Sequence, residues 1–468
     1  MSKIDIEYGS ETLTIEVPVR CDVRGMGSTD ALPDPAAAVR RSYGKPIDSP
    51  SLAEMARAKL GNNPRSNAVV VVSDNTRPVP YRGDEGILVP LLKTLLEAGY
   101  SQERITLLIG NGSHREMSKS EIEAMLGLGQ AGFNLPVVNH DYEKLEELVL
   151  VGETKRGSPV RINRLYEEAD LKIVTSLVES HFMAGASGGR KAICPAIAGK
   201  ETLRIFHGPQ ILESRAAADL VLEGNPCSEE AEQAAELAGC DFSVNVTLDA
   251  AKRITGVYSG NIVASHRAAV QKIREYAVVR LDRQYDLVVI PGGFVAVNHY
   301  QAAKAAIEAS RAVKPGGVIV VIARHTDPDP VGSEDYKKTL AMLKRDGSDQ
   351  FLRTIKSREW IFTHDQWETQ MWCKVLDVIG DEENLIYCSL EISDSAYSLL
   401  PGVPGMGFLK DEEKDSKRPA GEVMTLLAER ALSSAIEKLR VRLGRDPDML
   451  LLQDGPYGVP EVFPTASS

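Results

Sequence analysis

A chain of 468 residues, 43% hydrophobic and 26% charged, has the composition of an ordinary folded protein, and at roughly 100–200 residues per domain it has room for two or three domains. A formal net charge of −12 argues against general binding to nucleic acid or to an anionic membrane, so any anionic substrate must meet a local basic pocket. No run approaches the roughly 20 apolar residues of a membrane span, the N-terminus lacks a secretory apolar core, and six scattered cysteines form no CxxC pair, which points to the cytoplasm and to free, mostly buried thiols.

In chain order, "MSKIDIEYGSETLTIEVP" alternates apolar and polar residues like a strand pair. "NAVVVVSDNTRPVP" reads as a buried strand leading into Asp74, Thr76 and Arg77, and "RITLLIGNGSHRE" as a strand leading into Asn111 and His114. "DLKIVTSLVESHF" leads into Glu179 and His181; "YDLVVIPGGFVAVNHYQAAKAA" leads into His299, Tyr300, Gln301 and Lys304. "VKPGGVIVV" at 313–321 is a loop and strand with little functional content, and "LKDEEKDSKRPAGE" around 409–420 is a solvated loop. Short β-branched runs alternating with helical patterns predict an α/β protein. A boundary near 276–284 divides it into an N-terminal α/β domain, 1–276, and a C-terminal Rossmann-like α/β domain, 277–468, whose final segment, about 425–468, is expected to pack back on the first. The polar groups sit just past the carboxyl ends of strands, where open α/β sheets build ligand crevices, so the expectation is two α/β domains with the active site in the crevice between them.

Bland readings stand beside each residue. Arg77 in "DNTRPVP" also fits a turn closed with Asp74, His114 also fits an exposed loop histidine, and Lys304 shares a helix face with Gln301 as an ordinary solvated lysine does. His299 adds an imidazole close to the expected pocket. The stretch "ESHFMAGASGGRKAICPAIAGKETLRIFHG", 179–208, suggests a phosphate loop but fails in detail: Arg190 stands where the second glycine is required, and Ala192 offers no hydroxyl to magnesium. No GxGxxG follows a strand, so the dinucleotide fingerprint is absent.

Taken together, "SDNTRPVP", "GNGSHREMSKSE", "SHFMAGASGGRKAICPAI" with the later "FHG", "HYQAAKA" and "HDQW" resemble the nickel-dependent lactate racemase family, which includes other 2-hydroxyacid racemases and epimerases. The resemblance runs from residue 73 to 367 in the family's order. It implies inversion of the C2 stereocentre of a 2-hydroxycarboxylate by reversible hydride transfer to a nickel-pincer nucleotide. That cofactor is a pyridinium mononucleotide with two sulfur-containing arms, a thiocarboxylate and a thioamide, the thioamide joined to a lysine. Lys191 matches the tethering lysine and His207 the histidine completing nickel's coordination. His114 and His181 match the two acid/base residues, and Arg77 and Lys304 those that bind the carboxylate or the growing alkoxide. Ser187 and Gly188 are expected at the nucleotide phosphate, Asp74 at Arg77 or the ribose, and Tyr300, Gln301 and Trp367 around nucleotide or substrate. Cofactor-synthesis enzymes are the implied partners, and a substrate other than lactate is compatible with the sequence. Two other readings compete: a zinc hydrolase or lyase using His114, His181 and His207, and a carrier that keeps the pincer nucleotide without catalysis.

Overall fold

The computed structural model describes residues 2–9, 11–414 and 418–463, and its backbone groups into two compact units, Ser28–Glu275 and Met1–Gly27 with Tyr276–Ser468. Both are α/β.

In the unit Ser28–Glu275 a six-stranded sheet runs Ile254–Gly260, Phe242–Leu248, Leu171–Leu177, Ala68–Ser73, Ile105–Gly110, Val137–Asn139. All neighbours are parallel except the first pair. Ala68 to Val72 are all buried, which is why this strand reads as an unbroken apolar run rather than an alternation. Helix Leu88–Ala98 buries Leu91, Leu92 and Leu95 in the core of this unit and ends at Gly99, whose φ of 115° closes it in the left-handed region. The chain steps from Ala68–Ser73 outward through Ile105–Gly110 to Val137–Asn139, then returns to fill the other side from Leu171–Leu177. The loops after Ala68–Ser73 and Leu171–Leu177 therefore diverge, and a crevice opens at their carboxyl ends.

The other unit holds a six-stranded, all-parallel sheet in the order Val403–Pro404, Leu385–Cys388, Val313–Ile322, Tyr285–Pro291, Met449–Leu452, Cys21–Arg24. Its order also reverses at Tyr285–Pro291, with Val313–Ile322 on one side and the late strand Met449–Leu452 on the other. The expected N-terminal strand pair is an antiparallel hairpin, Ser2–Tyr8 with Glu11–Val17. Its alternation turns Ile4, Ile6, Leu13 and Ile15 inward, where helix Ala420–Leu443 covers them with Met424, Leu427 and Ala431. The first 27 residues, which the sequence division left with the N-terminal domain, thus group with Tyr276–Ser468, because Cys21–Arg24 is an edge strand of that sheet. The final segment meets the start of the chain through this same strand and hairpin.

In the stretch 409–420, Asp411–Lys414 forms a short helix, and 415–417 lie outside the described residues. All six cysteines are free thiols, with Cys194, Cys227, Cys373 and Cys388 buried. Among the described residues no helix is long and apolar enough to cross a membrane.

Candidate functional site

The crevice of the unit Ser28–Glu275 collects most of the candidate residues. After strand Ala68–Ser73 the chain turns at Asp74, whose side chain is buried although its neighbours Asn75 and Thr76 are exposed. Its carboxylate is fully engaged. Oδ1 accepts from the Thr76 hydroxyl at 2.5 Å and from the Thr76 N–H at 3.2 Å, and Oδ2 lies 2.6 Å from Nδ1 of His114. Burial works to raise the Asp74 pKa, but the hydrogen bond and charge of His114, with the Thr76 bonds, outweigh it and hold the carboxyl below its ordinary value. A carboxylate accepts at Nδ1, so the proton of a neutral His114 sits there and Nε2 keeps its lone pair; the ring is exposed on the loop, while its orienting partner is not. Asp74 therefore orients His114, a partner the sequence reading did not name. Arg77 donates instead to the Thr76 carbonyl at 3.1 Å, and its guanidinium lies close enough to Lys191 to disfavour the ammonium there.

The second imidazole stands on the loop after Leu171–Leu177. Ser180–His181 pairs with Gly185–Ala186 in a two-stranded ribbon, and Gly185 has a φ of 79° at a position where a Cβ would lie 2.1 Å from the Val221 carbonyl oxygen. The turn between them aims the N–H groups of Met183 and Ala184 at Nδ1 of His181, each at 3.3 Å, and Nε2 lies 2.6 Å from Nζ of Lys191. Burial of the Lys191 amine is the largest influence on it; Cys227 opposes, Arg77 and Arg190 add to it, and the pKa falls to about 7. Nζ lies 5.8 Å from the Phe206 ring centroid, and the Phe206 ring meets His207 edge-on at 4.8 Å, so His181, Lys191 and His207 form one continuous group. His207 is buried at the carboxyl end of helix Lys200–Phe206.

Ser187 and Gly188, expected at the nucleotide phosphate, also shape the loop itself. The Ser187 hydroxyl donates to the Leu177 carbonyl at 2.9 Å and accepts from the Glu179 N–H at 2.9 Å, bracing the loop against the strand that precedes it. Gly188 has a φ of 79°, and a Cβ there would lie 2.6 Å from Cγ2 of Val178. Behind this loop is a pair that sequence reasoning missed. Arg190 is 4% exposed; it bonds the Ala184 carbonyl at 2.8 Å and the His266 ring at 3.0 Å, and His266 in turn donates from Nε2 to the Ser187 carbonyl at 2.9 Å. Burial, then the Arg190 charge, keeps His266 neutral by pushing its pKa well down. One clue was present in the sequence: Arg190 occupies the position that spoils a phosphate loop.

In the other unit, Asn298 caps helix His299–Ala312 by accepting from the Gln301 N–H at 2.9 Å. This presents Tyr300, Gln301 and Lys304 on one face, with Lys304 Nζ donating to Gln301 Oε1 at 2.7 Å. Trp367, on helix Gln366–Ile379, donates from Nε1 to the Tyr300 hydroxyl at 2.8 Å. These four expected residues are brought together. Glu368 beside them was not expected; it is 1% exposed, and burial pushes its pKa up while the Lys304 charge opposes and Asp365 adds to the rise. His299 is not a pocket imidazole. It is fully buried, stacked on Trp372 at 4.7 Å with Nδ1 on the Tyr336 hydroxyl at 3.0 Å, and burial holds its pKa well below the usual value.

Comparison with known proteins identifies the family. Residues 8–219 match the lactate racemase N-terminal domain and 282–393 the lactate racemase C-terminal domain. The lactate racemase of Thermoanaerobacterium thermosaccharolyticum is 30% identical over 382 residues, 80% of this chain and 86% of that protein. The chain belongs to the lactate racemase family. The lactate racemase of Lactiplantibacillus plantarum is also 30% identical, over 80% of this chain and 87% of its own. The structure of the lactate racemase apoprotein from T. thermosaccharolyticum superposes with a TM-score of 0.79 at 25% identity, covering 98% of this chain and 100% of that one. A protein from Thermotoga maritima shares the fold, with a TM-score of 0.59 at 18% identity over 90% of this chain and all of its own.

Proposed function

We propose that this family member is a racemase or epimerase that inverts C2 of a 2-hydroxycarboxylate, lactate or a relative, with a nickel-pincer nucleotide tethered to Lys191. The observation that carries the reading is the pair of imidazoles on loops either side of one switch point, each held by its own partner: His114 by Asp74 at 2.6 Å and His181 by Lys191 at 2.6 Å. Inversion requires a proton acceptor and a proton donor acting in alternation, and imidazole can do either near neutral pH.

The donor chemistry fits such a cofactor. Among the described residues no three His, Cys, Asp or Glu side chains gather as a protein-only metal site would need. A group that brings sulfur and carbon donors of its own needs only one imidazole, His207, and one nucleophilic amine, Lys191. When bound, the nucleotide supplies a hydride acceptor, which spares a carbanion beside a carboxylate.

The chain's own residues do the rest. His114 presents an Nε2 lone pair and takes the hydroxyl proton of one stereoisomer, while His181 returns a proton on the opposite face; the roles exchange in reverse. The Arg77 guanidinium binds the substrate carboxylate, and the Lys304 ammonium, with Gln301, Tyr300 and Trp367, handles the oxygen charge and the cofactor. The separate pairing of His114 and His181 gives no support to a three-histidine zinc site, and the presence of both acid/base candidates disfavours a carrier.

Chain produced together with the cofactor-synthesis enzymes tests this. Holoprotein should interconvert the stereoisomers of lactate, malate, a larger 2-hydroxyacid or a sugar acid by chiral chromatography; nickel-loaded protein that inverts none of them favours the carrier.

A further inference from the structure

The 2.6 Å contact between His181 and Lys191 has a definite polarity. Nδ1 of His181 accepts from two backbone N–H groups, Met183 and Ala184, each at 3.3 Å, so a neutral ring carries its proton on Nε2. That proton points at Nζ of Lys191, and the contact is a hydrogen bond only if Nζ offers a lone pair. An ammonium would reverse it: Lys191 would donate to Nε2, the ring proton would move to Nδ1, and it would then confront two N–H groups. Burial and the Arg77 and Arg190 charges favour the same neutral amine, which brings Lys191 down to about 7.

Nε2 is also the atom with which His181 would serve a substrate, and it cannot hold Lys191 and a substrate oxygen with the same proton. We infer that in the protein without its cofactor His181 keeps Lys191 in the neutral amine form, its lone pair capped by the Nε2 proton until Nε2 turns away and frees it for acylation, and that this acylation is what leaves His181 to the substrate. The inference rests on the reading of Lys191 as the tether. Attack by Nζ on a thiocarboxylate arm forms an N–C bond and breaks a C–O bond; the oxygen leaves with its electron pair as water, taking one proton from Nζ and one from solvent, and nothing is oxidised or reduced. The nitrogen lone pair is then delocalised into the thioamide, so Nζ changes from acceptor to donor and no longer accepts from Nε2. One imidazole thereby makes catalytic competence conditional on tethering.

Two measurements on cofactor-free protein test this. Trace labelling with acetic anhydride across pH 5.5 to 10, followed by peptide mapping, should show Lys191 acetylating along a titration centred near pH 7, at least tenfold above the exposed Lys119 at pH 7.5. His181→Ala should move the midpoint of that labelling titration upward by about one pH unit or more, because the hydrogen bond that favours the neutral amine is gone. Nitrogen-15 NMR of the histidines should find neutral His181 protonated on Nε2, a readout that requires no variant. Lys191 that labels like Lys119, a labelling midpoint unchanged in His181→Ala, or a ring protonated on Nδ1 overturns the inference. Cofactor mass on another lysine of the loaded protein overturns the tether reading instead, and the two failures are thus separate.

Discussion

Replacing Asp74 with Asn keeps the shape of the side chain but exchanges a buried carboxylate oxygen for an amide. In the wild-type protein Oδ2, 2.6 Å from Nδ1 of His114, requires the ring proton on Nδ1 and leaves Nε2 as a base. The Thr76 hydroxyl already holds Oδ1, so the Asn carbonyl oxygen stays with Thr76 and the amide N–H₂ faces His114. Nδ1 then accepts, and the proton moves to Nε2, the wrong tautomer for taking a hydroxyl proton. A hydrogen bond to a charged group is worth about 1.5–3 kcal/mol, so kcat should fall by a factor of roughly 10–150. The assay is initial rate in both directions on holoprotein with equal nickel and equal adduct mass at Lys191. A kcat within twofold of wild type would refute the orienting role of Asp74.

The same substitution changes acid stability. Because the folded-state pKa of Asp74 lies below its unfolded value, its carboxylate stabilises the fold above the ordinary carboxylate range, near pH 3.9, and that stability is lost as pH falls through the folded pKa; urea unfolding should show the gap between wild type and Asp74→Asn closing toward pH 2. Gly188→Ala should destabilise by about 1–3 kcal/mol, read as a lowered melting temperature, since φ is 79° and the new Cβ would meet Val178 at 2.6 Å. His207→Ala should lose nickel, measured by plasma emission, while circular dichroism stays native, because one imidazole at a helix end carries little of the core. Arg77→Ala should lower kcat/KM by about 1.5–3 kcal/mol, mainly through KM, in steady-state kinetics.

The strands were legible because their signal is local. "VVVV" and "LVVI" announce buried parallel strands, and the residues that follow, Asp74, His114, His181 and Tyr300, stand at carboxyl ends as expected. What was not legible depends on distance along the chain. The Asp74–His114 bond spans 40 residues and that of Arg190 to His266 spans 76, and no periodicity encodes either. The grouping of residues 1–27 with residues 276–468 rests on the pairing of Cys21–Arg24 with Met449–Leu452. His299 misled because its neighbours Tyr300 and Gln301 belong to the site; on a helix the adjacent residue points about 100° away, and here that direction is the core occupied by Trp372. The bond from the Ser187 hydroxyl to the Leu177 carbonyl, ten residues away, was likewise not encoded in any local pattern.

The most direct test of the account follows the hydrogen on Cα. Holoprotein is given one stereoisomer of an accepted 2-hydroxyacid, deuterated at Cα, in ordinary water, and the label is measured by mass spectrometry at increasing conversion. Hydride transfer with His114 and His181 moving only hydroxyl protons predicts that deuterium remains on Cα in both stereoisomers, with a primary isotope effect when that step limits the rate. Washout of deuterium into solvent in step with inversion would contradict it and make the imidazoles bases toward carbon.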